Sequence, residues 1–113
     1  PDRPGTVSDA VIETLIRGEI GFDGFLFTDD ISMEALRGTP ADRAEAALSA
    51  GCDAVLHCSG VLSEMIEVAG AVGPLSRSAD RRWTRARAAR QNPEGVDITE
   101  LSASLAAQFD DRI

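Results

Sequence analysis

A chain of 113 residues, 43% apolar and 27% charged, has the size of one domain or part of one and the composition of a globular protein. A formal net charge of −8 repels phosphate backbones, which argues against nucleic acid as a partner. No stretch approaches the roughly 20 apolar residues that a membrane span requires, so no membrane partner is expected.

The chain opens Pro1-Asp2-Arg3-Pro4-Gly5, with no initiator Met and no apolar core of a signal peptide. It reads as the interior of a longer protein. Residues Thr6 to Gly21 suit a helix, capped by Thr6 or Ser8, with Val11, Ile12, Leu15, Ile16 and Ile20 on one face. Phe22 to Asp29 reads as a strand whose apolar centre, Phe25-Leu26-Phe27, suits burial on both faces in a parallel sheet. Asp42 to Ala50 is an Ala-rich helix ended by Gly51. Asp53 to Cys58 is a second strand around Ala54-Val55-Leu56, and Leu62 to Val72 a further helix. After the break at Pro74 and Ser76, Ala79 to Ala89 forms another helix. Gln91 to Gly95 reads as a loop, and Ile98 to Phe109 as a final amphipathic helix with Leu101, Leu105 and Phe109 four apart. Alternating helices and strands imply an α/β class with parallel strands and right-handed crossovers.

All eleven basic residues are Arg, and six of them fall between Arg77 and Arg90. A run of this kind is an anion patch or a solvated helix face, and the solvated face is the expectation. Cys52 and Cys58 form no CxxC pair and flank an apolar run, which suggests buried, reduced thiols in a cytoplasmic setting. His57 is the only histidine, too few ligands for a zinc site, and no cofactor is expected.

The chemistry concentrates in Phe25-Leu26-Phe27-Thr28-Asp29-Asp30-Ile31-Ser32-Met33, where an apolar strand runs into two carboxylates. The C-terminal end of a parallel strand is where β/α barrels and open α/β sheets place reacting groups. Side-chain alternation puts Asp29 on the side of Phe25 and Phe27, and Asp30 on the other side or in the following turn. Such a pair could hold magnesium, as in receiver modules, or supply a carboxylate for glycoside chemistry. It could also cap the next helix while its partner is solvated.

Four segments in order resemble the bacterial β-N-acetylhexosaminidases of glycoside hydrolase family 3. The opening Pro1 to Ser8, PDRPGTVS, resembles "PDRPATLS"; Ile16 to Gly24, IRGEIGFDG, resembles "LRGELGFDG". Phe27 to Met33, FTDDISM, resembles "FSDDLSM", and Ala46 to Leu56, AALSAGCDAVL, resembles "ALKAGCDMVL". The match is close up to about residue 60 and looser beyond. The resemblance implies the C-terminal part of a TIM (β/α)8 barrel, about two β/α units over residues 1–76, followed by a helical extension over 77–113. It assigns the catalytic nucleophile to Asp29 and no equivalent role to Asp30. Thr28 departs from the usual Ser but keeps the hydroxyl. Implied as well is a carbohydrate substrate, terminal β-linked N-acetylglucosamine of cell-wall muropeptides. A "KHFPGHG"-like segment and a loop carrying a His–Asp acid/base pair lie upstream in the family. His57 matches no family motif and is expected among apolar neighbours. By resemblance, the hexosaminidase reading over a glucosidase one rests on "SDD" where glucosidases have "SDW", together with the neighbouring motifs. Two competing readings are a non-catalytic structural fragment and a receiver-like signalling module; the lack of Lys and the two clear strands place the module last.

Overall fold

The computed structural model describes residues 3–92 and 95–110. Pro1 and Asp2, and Pro93 and Glu94 of the expected loop, lie outside them. A short 3-10 turn, Gly5–Val7, precedes a π-helix at Ala10–Glu19. Strand β1 spans Phe27–Asp30 and helix α1 Pro40–Ser49, then β2 Ala54–Leu56 and α2 Leu62–Val72. Helices α3, Arg77–Ala88, and α4, Ile98–Asp110, complete the order. β1 and β2 form a two-stranded parallel sheet, so the mixed α/β class holds.

The first helix differs from the single α-helix that the apolar spacing suggests. Its winding is wide: the Ile20 amide reaches back five residues to the Leu15 carbonyl, at 2.8 Å. Of the expected apolar face, Ile12 is buried, whereas Leu15 and Ile20 are 43% and 74% exposed. Asp9 caps it by accepting the Ala10 amide, while the Ser8 hydroxyl accepts from Val11 at 3.4 Å. Helix α1 starts two residues earlier than its Ala-rich run indicates. Thr39 and Asp42 form a reciprocal capping box there, with Pro40 in the first turn where its missing N–H costs nothing. Glu67 of α2 accepts the Ala41 amide, which fixes α2 against the start of α1. Gly51 leaves α1 with φ 112°; a Cβ there would strike the Glu13 carboxylate and Ile12. The core is small: Ile31, Leu36, Ala44 and Val68, flanked by Val7, Met33, Val55 and Val72.

The strands are shorter than the expected spans, Phe22 to Asp29 and Asp53 to Cys58, because side chains take backbone partners. The Arg17 guanidinium binds the carbonyls of Phe22 and Gly24, at 2.9 and 2.8 Å, and lies over the Phe22 ring. That contact shapes the approach to β1 as a turn. The Leu26 amide then goes to the Asp53 carboxylate at 2.9 Å. Asp53 is 8% exposed and also accepts Arg17 and Arg82, each at 2.8 Å. It therefore joins the π-helix, the entry to both strands, and α3. Arg82 and Arg85 also pair with Asp23, at 3.3 and 2.8 Å. The Arg run from Arg77 to Arg90 is exposed as expected except at Arg82, which is partly buried at the sheet entry, where Trp83 also meets Phe25 at 5.3 Å. The Asp23–Arg85 pair is exposed on both sides and contributes little.

Burial of β1 on both faces is not found. Phe27 is 59% and Leu56 41% exposed, because among the described residues no third strand or inner layer covers that side. The thiols are also not both buried: Cys52 is half-buried, where desolvation pushes its thiol pKa up, and Cys58 is exposed at the end of β2. Leu101, Leu105 and Phe109 line α4 as spaced, and all three are exposed. No described helix is long and apolar enough to cross a membrane.

Asp53→Ala is expected to destabilise the folded protein by about 3–5 kcal/mol, since it strands the nearly buried Arg17 guanidinium and leaves the Leu26 amide unpaired. Asp53→Asn keeps an acceptor for that amide and should cost less. Urea denaturation compares them, and an Ala variant as stable as the parent contradicts this role for Asp53.

Candidate active site

The two carboxylates stand at the C-terminal end of β1, where the register is irregular. Phe27 pairs with Ala54 and Asp30 with Leu56, so Thr28 and Asp29 together stand opposite Val55 alone. That is a bulge: one extra residue in β1, a local bend, and a side chain re-aimed at the strand end. Thr28 is buried, whereas Phe27 and Asp29 are exposed, so Asp29 shares the side of Phe27 as alternation predicts.

The bulge breaks the ladder, and side chains repair it. The Thr28 hydroxyl accepts the Leu56 amide at 3.0 Å, and the Leu56 carbonyl accepts the Ile31 amide at 2.8 Å. Asp30 is the busiest group. One carboxylate oxygen accepts both the Ser32 amide and the Cys58 amide, each at 3.0 Å, and the other takes the Ser32 hydroxyl. The Asp30 amide itself donates to Asp29 Oδ1 at 2.8 Å. Asp29 Oδ2 has no hydrogen-bond partner among the described residues. The two adjacent aspartates are thus divided in role: Asp30 is engaged with protein, and Asp29 presents an oxygen outward.

Ser32 holds the Asp30 carboxyl below its ordinary range, first through its hydroxyl and then through its amide. Burial opposes the shift, and the Cys58 amide and the nearby His57 add to it. A depressed carboxyl stabilises the fold above the unfolded-state pKa and loses that contribution as pH falls through the folded value. The Asp30 contacts therefore persist at neutral pH and release only on acidification below the usual aspartate range.

His57 does not lie among apolar residues as expected. Its Nε2 is 2.9 Å from the Ser59 hydroxyl and 3.2 Å from Glu64 Oε2. Its Nδ1 is buried with no partner among the described residues. These polar neighbours come from the turn after β2 and from α2. Among the described residues no three His, Cys, Asp or Glu side chains converge as a metal site.

Sequence pattern located the carboxylate pair but missed the hydrogen-bond partners around it. Thr28 could have been noticed as a hydroxyl inside an apolar strand, and Ser32 as a hydroxyl two residues past Asp30. Nothing in the sequence marks the partnership with the Cys58 amide, 28 residues away.

The carboxylate with a free oxygen thus stands at the C-terminal end of a parallel strand, the place where α/β folds put ligands and reacting groups. The family model described as the glycosyl hydrolase family 3 N terminal domain matches residues 1–87, and the chain belongs to that family. It is similar to a protein named beta-hexosaminidase from Pseudomonas aeruginosa (strain LESB58). The two are 36% identical over an alignment of 118 residues that covers 96% of this chain and 35% of the relative. A beta-hexosaminidase of Tolumonas auensis is 36% identical over 81 residues, 70% of this chain and 24% of the relative. One from Nitrosospira multiformis is 45% identical over 58 residues, 50% of this chain and 17% of the relative. The chain thus spans about a third or less of the length of these relatives.

Ser32→Ala is expected to raise the titration midpoint of Asp30 toward that of a free aspartate, because it removes the largest cause of the depression. Carbon NMR of the Asp30 carboxyl checks it, and an unmoved midpoint contradicts the assigned cause.

Proposed function

We propose that this segment carries the nucleophile of a retaining β-N-acetylhexosaminidase, and that the nucleophile is Asp29. The observation that supports this reading best is the free oxygen of Asp29, exposed on the strand-end bulge beside a fully engaged Asp30. In the same reading, residues 1–76 provide the seventh and eighth β/α units of a TIM barrel, and 77–113 a helical extension. The exposed Phe27 and Leu56 then face the barrel interior, where side chains of strands outside these 113 residues pack on them.

The free Asp29 oxygen attacks the anomeric carbon of a terminal β-linked N-acetylglucosamine. The glycosidic bond breaks, and the leaving oxygen takes a proton from an acid supplied outside this segment. Water then adds to the anomeric carbon, giving its proton to the same group now acting as base, and Asp29 leaves as carboxylate. The chemistry asks of this chain a carboxylate held rigidly in place, and the bond from the Asp30 amide to Asp29 Oδ1 provides that while leaving Oδ2 free. Cell-wall muropeptides as substrate and the cytoplasm as the place of action belong to the same proposal, as does chemistry without metal or organic cofactor.

In a protein that contains this segment within a complete barrel, Asp29→Asn is expected to lower turnover of an aryl N-acetyl-β-glucosaminide by roughly 10⁴-fold or more. Asp30→Asn should cost far less. Equal losses at the two positions would defeat the assignment of the nucleophile.

Stereochemistry gives an independent test. A nucleophilic aspartate requires net retention, so proton NMR of the first-formed sugar should show the β-anomer. Initial release of the α-anomer would mean that Asp29 activates water instead.

A further inference from the structure

We infer that Asp30 is a positioning residue for the nucleophile, and that it works through its fixed hydrogen-bond ties rather than through its charge. The inference rests on the reading of Asp29 given above, and follows from how the peptide between the two aspartates is held. On its N-terminal side the Thr28 hydroxyl binds the Leu56 amide; on its C-terminal side the Ile31 amide binds the Leu56 carbonyl. One β2 residue therefore grips β1 on both flanks of Asp29 and Asp30. The Asp30 carboxylate adds a third tie, through the Cys58 amide, to the chain leaving β2. Its bonds to the Ser32 amide and hydroxyl close the turn that follows β1. The Asp30 amide, fixed by these ties, is the donor that orients Asp29 Oδ1. A bulge leaves its extra residue without a ladder partner, so without such ties Asp29 would be the loosest part of the strand.

The arrangement distinguishes geometry from charge. Both strand-linking and turn-closing amides converge on a single oxygen, Asp30 Oδ1. An asparagine can keep that oxygen as its amide carbonyl and turn its NH2 toward the Ser32 hydroxyl, which then serves as acceptor. Thus Asn reproduces every tie while removing the charge. Alanine removes all of them and leaves the Cys58 and Ser32 amides to water.

The test uses the complete barrel protein that carries this segment, assayed on the aryl N-acetyl-β-glucosaminide, with folding checked by thermal unfolding. Asp30→Asn is expected to lower kcat by no more than about fivefold, the scale of exchanging a charge-assisted bond for a neutral one. Asp30→Ala should lower kcat by about 10–100-fold with KM within about threefold, as misplacement of a reacting group does. Thr28→Ser and Thr28→Val form the second pair, for use if Asp30→Ala does not fold. Ser keeps the acceptor for the Leu56 amide and should retain kcat within about fivefold, whereas Val should lose about tenfold or more. Equal kcat losses for Asn and Ala at Asp30 would overturn the inference, since charge would then be the requirement. Full activity in Asp30→Ala or Thr28→Val would overturn it too. Asp29→Asn, measured alongside, separates the two levels: if it remains active the nucleophile reading falls, and if it is inactive while Asp30→Ala is not, only the positioning role falls.

Discussion

Parallel strands of four and three residues form few ladder bonds, and this sheet holds because side chains supply acceptors that the backbone does not. Asp53 does so at the entry to the pair and Thr28 and Asp30 at the exit. Asp53 bears the larger electrostatic load. A carboxylate this buried is stable only with charge and hydrogen-bond partners on both oxygens. Arg82 occupies one oxygen, and Arg17 with the Leu26 amide the other. The result ties elements far apart in sequence to one point, and it sits at the end of the strands opposite the candidate site. The division suits a barrel segment, in which the N-terminal ends of strands serve stability and the C-terminal ends serve chemistry.

The same principle explains which parts of the fold could be read from the amino-acid order. Helix α2 begins at Leu62 and ends at Val72 as its apolar spacing indicates, and Gly51 ends α1 as expected. These features depend on local periodicity and on the freedom of glycine. The strand boundaries depend on where individual amides go, and those partners are distant. Phe22 to Leu26 belongs to the expected strand, yet Arg17 takes two of its carbonyls and Asp53 takes the Leu26 amide. The π-winding of the first helix was hidden for a similar reason: the apolar positions suit an ordinary helix, and only the reach from Ile20 to Leu15 reveals the wider turn.

At the candidate site, position was legible and division of labour was not. The run from Phe25 to Asp30 announces carboxylates at a strand end, and the family motif singles out Asp29. Alternation alone leaves Asp30 on the other side of the strand from Asp29 or in the following turn. Its engagement with Cys58 and Ser32 requires the crossover connection to bring β2 alongside, which no local pattern encodes. His57 shows the opposite failure. Its apolar neighbours in sequence suggested an apolar setting, whereas the turn after β2 and α2 surround it with Ser59 and Glu64.

The bulge links the apolar and the reactive halves of β1. In a regular strand pair, Thr28 and Asp29 would each face one β2 residue, and the Leu56 amide would go to a backbone carbonyl. The extra residue takes that carbonyl out of register, and the Thr28 hydroxyl takes its place. A side chain without a hydroxyl would leave a partly buried amide without its protein partner, at a cost of about 1 kcal/mol or more. That cost accounts physically for a polar residue within an otherwise apolar strand, and for Thr serving where related motifs have Ser, since both present the same oxygen. Phe27 and Asp29 meanwhile remain on one side of the strand. Any apolar layer that comes to cover Phe27 would therefore border the free oxygen of Asp29. In the proposed barrel, the packing that completes the core would also exclude water from the base of the site, where a fixed dipole such as the Asp30 amide acts most strongly.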